Sequence, residues 1–157
     1  MEYKEQELNE EKLKFIEKLG IYYENYGIPR IGGRILGLIL VANNPVSSEQ
    51  ISQLLKVSRG SVSTNVRLLV SNGLLERTSI AGDRTDYYVI CDSAWDSAIK
   101  VRIEGFKNLK SIIEQGTKAF NNESTTNKNL REMLQWVNIM TESHKKALVE
   151  WTKEIKI

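Results

Sequence analysis

The run SRGSVSTNVRLLVSNG, Ser58 to Gly73, holds the residue types best suited to chemistry with a polyanion. Wound as a helix, it puts Val62, Val66, Leu69 and Val70 on one side. Gly60, Thr64, Arg67 and Ser71 fall on the opposite side, flanked by Ser61 and Ser63. The outer face is small, polar and basic. Hydroxyls of this length can donate to or accept from base edges and phosphates, and Arg67 can grip a guanine or a phosphate with two bonds. The free amides at the helix start, near Ser58, Arg59 and Gly60, suit a phosphate oxygen. Gly60 removes a side chain where a backbone must come close. An ordinary solvated helix face would be rich in Glu and Lys, and this one has neither.

Charge placement supports the same reading. The net charge is only +2. Residues 1–26 carry four Lys/Arg against seven Asp/Glu, whereas residues 27–72 carry five against one, Glu49. From Gln50 to Leu75 there is no acid at all. A polyanion is bound by a local patch rather than by the total charge.

Other chemistries have little material to work with. Cys91 is the single cysteine and His144 the single histidine, so one chain cannot assemble a Cys/His metal site or an internal disulfide. No Ser-His-Asp set can be argued from one His in a helical seam, and no enzyme activity is expected. No cofactor is implied. No apolar run reaches the ~18–20 residues of a membrane span. The charged N-terminus lacks the apolar core of a secretion signal, which predicts a cytoplasmic protein. Asn122-Glu123-Ser124 matches a glycosylation sequon by chance.

Several elements must position the Ser58–Gly73 helix. Residues 5–26 read as an amphipathic helix with Leu8, Phe15, Leu19, Tyr22 and Tyr26 on one face, ended by Gly27 and Pro29. A second helix follows in GIPRIGGRILGLILVANN, with Ile31, Ile35, Leu38, Ile39 and Ala42 as its buried stripe. Gly32, Gly33 and Gly37 are poor helix formers, so the close approach of another backbone is expected there. Ser47 with Gln50 forms a capping box for a short helix, Ser48 to Leu55. After the turn Lys56-Val57-Ser58, the next helix runs from Arg59 to Ser71 or Asn72 and is ended by Gly73 in a left-handed C-cap. Short helix, tight turn and longer helix is the helix-turn-helix pattern. LLERTS and TDYYVI then read as two strands around IAGDR, a hairpin that would serve as a wing. At its tip, Asp83 would orient Arg84 toward the DNA backbone or minor groove.

The last 65 residues read as two long helices. The first, about 93–120, shows Trp95, Ile99, Phe106, Leu109 and Ile113 on one face. The second, about 125–155, carries the seam Leu130, Leu134, Val137, Thr141, His144, Leu148, Trp151 and Ile155, with spacings alternating four and three. A second copy of the chain is the economical partner for such a seam. Thr141 and His144 interrupt it, either fixing register or, for His144, titrating as a pH switch. Cys91 reads as a small buried residue rather than a redox sensor.

The segments IPRIGGRILGLIL, SRGSVSTNVRLL, GLLER and GDRTDYYVI, in this order, resemble the GbsR-type branch of the MarR family of winged-helix repressors. The resemblance covers about residues 20–90, and the helical tail by architecture. It implies a homodimer on a pseudo-palindromic double-stranded DNA operator, with recognition helices in successive major grooves and terminal helices at the dimer interface. It assigns Ser58, Arg59, Ser61, Ser63, Thr64 and Arg67 to the recognition helix, and Asp83 and Arg84 to the wing. Many relatives carry Asp-X-Arg in the wing, whereas here the two are adjacent. The resemblance also implies a small effector. Some relatives sense choline, and Tyr22, Tyr23, Tyr26 and Trp95 could cage a quaternary ammonium by cation–π attraction. Arg30 and Arg34 could instead meet an anion, or Arg34 could make a buried ion pair.

The sequence thus predicts a mainly α, winged helix-turn-helix fold with long terminal dimerisation helices. Residues 1–27 and 92–157 would dimerise, and 28–91 would bind DNA. The expected function is a ligand-responsive transcriptional repressor. The alternative is a winged-helix protein-interaction scaffold that does not bind DNA.

Overall fold

The computed structural model describes residues 8–120 and 124–155. The proposed start of the first helix at residues 5–7, most of the break at 121–124 and the Asn122 sequon lie outside the described residues. The order of elements is α1 (Glu10–Glu24), α2 (Arg30–Val41), β1 (Val46–Ser47), α3 (Ser48–Leu55), α4 (Arg59–Ser71), β2 (Leu75–Thr78), β3 (Tyr87–Ile90), α5 (Ala94–Ala119) and α6 (Ser124–Glu154). The fold is the expected mainly helical winged helix with a small antiparallel sheet. The chain divides into two compact units, Met1–Ala94 and Trp95–Ile157.

In the first unit α1 starts on Asn9, whose side chain accepts from Lys12 N. Its buried face differs from the predicted stripe. Ile16 and Gly20 are buried, while Phe15, Tyr22 and Tyr26 are exposed, and Tyr26 lies beyond the helix end. The rotation follows from the glycines. A Cβ on Gly33 of α2 would stand 2.9 Å from Gly20 Cα and 3.0 Å from Leu19 O. The two helices therefore meet backbone to backbone, as the glycines of α2 suggested, and the missing Cβ atoms decide which face of α1 turns inward. With α1 this close, α2 is buried almost all round: Leu36 joins Ile35, Leu38 and Ile39 in the core, while Ile31 and Ala42 are only half-buried.

Both caps of the helix-turn-helix form as the sequence predicts. Ser47 N donates to Gln50 Oε1 at 2.8 Å, and Gln50 N donates to Ser47 Oγ at 3.2 Å. Lys56 takes the left-handed conformation that ends α3, with φ 53°. At the far end of α4, Leu74 N donates to Leu69 O and Gly73 N to Val70 O, a six-to-one and five-to-two closure that needs the positive φ of Gly73, 70°.

The hairpin is part of a larger sheet. Its strands β2 and β3 pair antiparallel, Leu75 opposite Ile90 and Thr78 opposite Tyr87. The two-residue β1 adds to the other edge of β3, Val46 opposite Tyr88 and Ser47 opposite Tyr87, giving the order β1-β3-β2. Two residues, the second of them the cap of α3, offer no period of their own, so this strand was invisible in the sequence. Cys91 is half-buried rather than buried, and its N donates to Leu74 O.

The second unit is a helical hairpin. Among the described residues, Ile103 and Ile113 of α5 and Val137 of α6 are buried in it. The Phe106 ring lies 5.7 Å from Trp136 and 5.2 Å from His144. Trp95 is partly exposed, so the inward face of α5 begins later than predicted. Along α6, Val137 is buried within the chain, whereas Leu130, Leu134, Thr141, His144, Leu148 and Trp151 are half-buried and Ile155 is exposed. Thr141 Oγ1 donates to Val137 O at 2.8 Å, and His144 Nδ1 lies 2.7 Å from Met140 O. Both polar seam residues are thus satisfied one turn back on their own helix.

Candidate nucleic-acid interface

The presented face of α4 is built by its cap and its core. Ser61 N donates to Ser58 Oγ at 3.1 Å, and the Ser58 hydroxyl also donates to Ser61 Oγ at 2.9 Å. These two serines therefore secure the helix start. Val62, Val66 and Leu69 are buried and fix the inward side. Arg59, Gly60, Ser63, Thr64, Arg67 and Ser71 are exposed. Val70, expected in the core, is also exposed, because it lies about a quarter turn from the centre of the buried arc. Nothing stands within 4 Å of where a Gly60 Cβ would be, so this turn is open to an approaching surface.

The inward arc holds one residue that the hydrophobic pattern missed. Asn65 is 7% exposed, in the arc between Val62 and Leu69. Its Nδ2 donates to Ser61 O at 2.9 Å, and its Oδ1 is buried without a hydrogen-bond partner. The spacing of three from Val62 and four from Leu69 would have flagged it, had polar residues been placed on the wheel as well.

The basic groups differ in how free they are. Arg59 Nη2 lies 3.3 Å from Glu49 Oε1, so the one acid of residues 27–72 is paired with the first residue of α4. The guanidinium groups of Arg67 and Arg84 make no ion pair or hydrogen bond among the described residues. Ser71 Oγ donates to Leu68 O.

The wing tip corrects one expectation. Asp83 does not hold the Arg84 guanidinium. Its carboxylate accepts from Thr85 N at 2.8 Å and from Tyr87 Oη at 2.8 Å. The Thr85 backbone bond, then the Thr85 and Tyr87 side chains, hold the carboxyl below its ordinary range. Asp83 thereby closes the turn at Gly82, φ 84°, with Asp83 N donating to Ile80 O. Its own charge is taken up by these donors, and Arg84 projects from a fixed turn. Arg77 and Asp86 bridge the hairpin at 3.3 Å.

The residues considered for an effector fall on different elements. Tyr22 packs edge-on to Tyr23 at 5.2 Å and against Tyr26 at 4.7 Å between ring centroids. Burial, and then Tyr22, raise the Tyr23 hydroxyl above its ordinary range. Arg34 makes the ion pair that was one of its two expected roles. Its Nε donates to Glu17 at 2.6 Å and its Nη2 to Leu55 O at 3.0 Å, tying α1, α2 and the end of α3 together. Arg30 also reaches Glu17, at 3.4 Å. Trp95 belongs to the second unit. Among the described residues no His, Cys, Asp and Glu group could hold a metal, and no helix is long and apolar enough to cross a membrane.

Comparison with known proteins places this arrangement. The MarR family model matches residues 26–84. The HTH-type transcriptional regulator MmpR5 of Mycobacterium tuberculosis (strain ATCC 25618 / H37Rv) is 33% identical over 77% of this chain and 74% of its own length. The HTH-type transcriptional repressor OpcR of Bacillus subtilis (strain 168) is 24% identical over 87% of this chain and 74% of its own. A crystal structure of a transcriptional regulator superposes with a TM-score of 0.81 at 30% identity, covering 91% of this chain and 99% of that one. These relatives are regulators, not enzymes.

Proposed function

Because the chain belongs to the MarR family of winged-helix DNA-binding transcriptional regulators, we propose that it acts as a homodimeric, sequence-specific repressor of the GbsR-like branch. Residues 28–91 bind the DNA. The helix of residues 59–72 enters the major groove, and the wing of residues 74–90 lies on the backbone or in the minor groove. Residues 1–27 and 92–157 join two copies, so that two recognition helices meet the halves of a pseudo-palindromic operator. The similarity to a repressor of Bacillus subtilis supports the sign of the regulation.

The observation that carries the groove assignment is Arg67. It stands exposed and unpaired beside the exposed hydroxyls of Ser63 and Thr64, in a stretch without acids. A free guanidinium next to short hydroxyl side chains can read a base edge at the cost of desolvation alone.

A small effector modulates the affinity. The Tyr22 ring already packs against both Tyr23 and Tyr26, and such a cluster can hold a quaternary ammonium by cation–π attraction. An anionic effector is less well served, since Arg34 would first have to leave Glu17 and Leu55 O.

The test uses a duplex that the protein selects from a random-sequence library, with anisotropy titrations across a salt series. The logarithm of the affinity should fall linearly with the logarithm of salt. Arg67→Ala should cost ~1–3 kcal/mol and relax specificity, and Arg84→Ala should reduce the salt slope by about one. Failure to select any duplex, or equal binding by wild type and both variants, would overturn the groove assignment and favour a protein-binding scaffold.

A further inference from the structure

The buried face of α4 contains one group that the packing of a helix does not need. Asn65 is an amide among Val62, Val66 and Leu69. Its nitrogen end is fixed by the Ser61 carbonyl, 2.9 Å away, since an oxygen there would face another oxygen. The carbonyl end therefore points the other way, and it has no hydrogen-bond partner. It abuts α2: a Cβ built on Gly32 would lie 3.0 Å from Asn65 Oδ1 and 3.1 Å from Ile28 Cγ2. Gly32 thus leaves the space that the amide occupies. It stands in the first turn of α2, where Pro29 provides no side-chain cap. The first N–H groups of a helix lack intrahelical acceptors and carry partial positive charge. A carbonyl oxygen is drawn to that end, and a valine or leucine would not be.

We infer that Asn65 is the positioning residue of the recognition helix: its amide, seated on Gly32, fixes where α4 stands on α2. The inference rests on the groove assignment above. The same short side chain back-bonds to Ser61 and meets α2, and its immediate neighbours are the exposed Thr64 and the buried Val66. Apolar contacts alone let two helices settle in several nearby positions, because packing has no direction. A polar contact seated where Gly32 leaves out a Cβ selects a single setting. Base-edge contacts need that setting and phosphate contacts much less, so the effect belongs to sequence discrimination.

The experiment compares wild type, Asn65→Ala, Gly32→Ala and the double variant on the selected duplex and on a scrambled duplex. Thermal midpoints and salt slopes are measured alongside. Asn65→Ala removes the unpaired carbonyl and introduces the best helix former, so the midpoint should not fall. Affinity for the selected duplex should drop about tenfold, with the scrambled duplex and the salt slope unchanged. Gly32→Ala, whose methyl meets the amide, should reproduce the loss in the wild-type background and add little to Asn65→Ala. Unchanged discrimination in Asn65→Ala overturns the inference. So does a parallel loss of midpoint and of both affinities, which would mark plain packing, or additivity of the two substitutions. Should Asn65→Ala not fold, Gly32→Ala alone decides: it must lower the ratio of selected to scrambled binding. Arg67→Ala serves as the reference. A loss there without one in Asn65→Ala overturns this inference alone, and no loss in either overturns the groove assignment beneath it.

Discussion

Residue types on the outer face of α4 do not tell how much each contributes; their partners do. Arg59 and Arg67 share a helix and a charge, yet Arg59 is paired with Glu49 and Arg67 is free. An arginine that must leave a carboxylate to reach DNA delivers the difference between two contacts. Arg59→Ala should therefore weaken DNA binding less than Arg67→Ala. Glu49→Gln should strengthen it by ~0.2–1 kcal/mol, the usual worth of an exposed pair. Titrations on the selected duplex check both, and a larger loss for Arg59→Ala than for Arg67→Ala would contradict the ordering. Asp83 teaches the same lesson from the other sign. Adjacent to Arg84 in sequence, it spends its oxygens on Thr85 N and Tyr87 Oη. Adjacency in sequence was thus a poor guide to pairing.

Elements were most legible where a cap or a period marks them. Ser47 with Gln50, and Ser58 before Arg59, placed α3 and α4 to the residue, because side-chain caps are local chemistry. The two wing strands were readable from their period and from Gly82-Asp83. Three things were not. The two-residue β1 has no period. The buried Asn65 hides in a stripe searched for hydrophobes. The inward face of α1 was chosen by tallying large apolar residues, although Gly20 and Gly33 set it by letting backbones touch. That contact makes a contrast between glycines. Gly33→Ala drives a methyl against the Gly20 Cα and should destabilise the fold by ~1–3 kcal/mol. Gly60→Ala, in open space on a helix surface, should stabilise it by ~0.5–1 kcal/mol. Urea midpoints of the two variants measure this, and equal shifts of the same sign would contradict the backbone contact.

On the scale of the whole molecule, one chain leaves much apolar surface uncovered. Phe15 and Tyr22 in the first unit, and Trp136, Ile139 and Val149 in the second, are exposed. Light scattering at micromolar concentration should give twice the 18.0 kDa chain mass. Val137 is already buried within its own chain. Val137→Glu should accordingly unfold the second unit, whereas Ile139→Glu should leave a folded chain of single mass; a single mass for wild type would end the dimer proposal. The sheet carries a mechanical implication as well. Ser47 is at once the strand residue opposite Tyr87 and the cap of α3, and Tyr87 in turn donates to Asp83 at the wing tip. A pull on the tip therefore reaches the root of the helix-turn-helix through bonded groups, without a slack loop between. Wing and helix-turn-helix are thus linked as one lever, so on the proposed binding mode a DNA that bends under the wing would also tilt the helix in its groove.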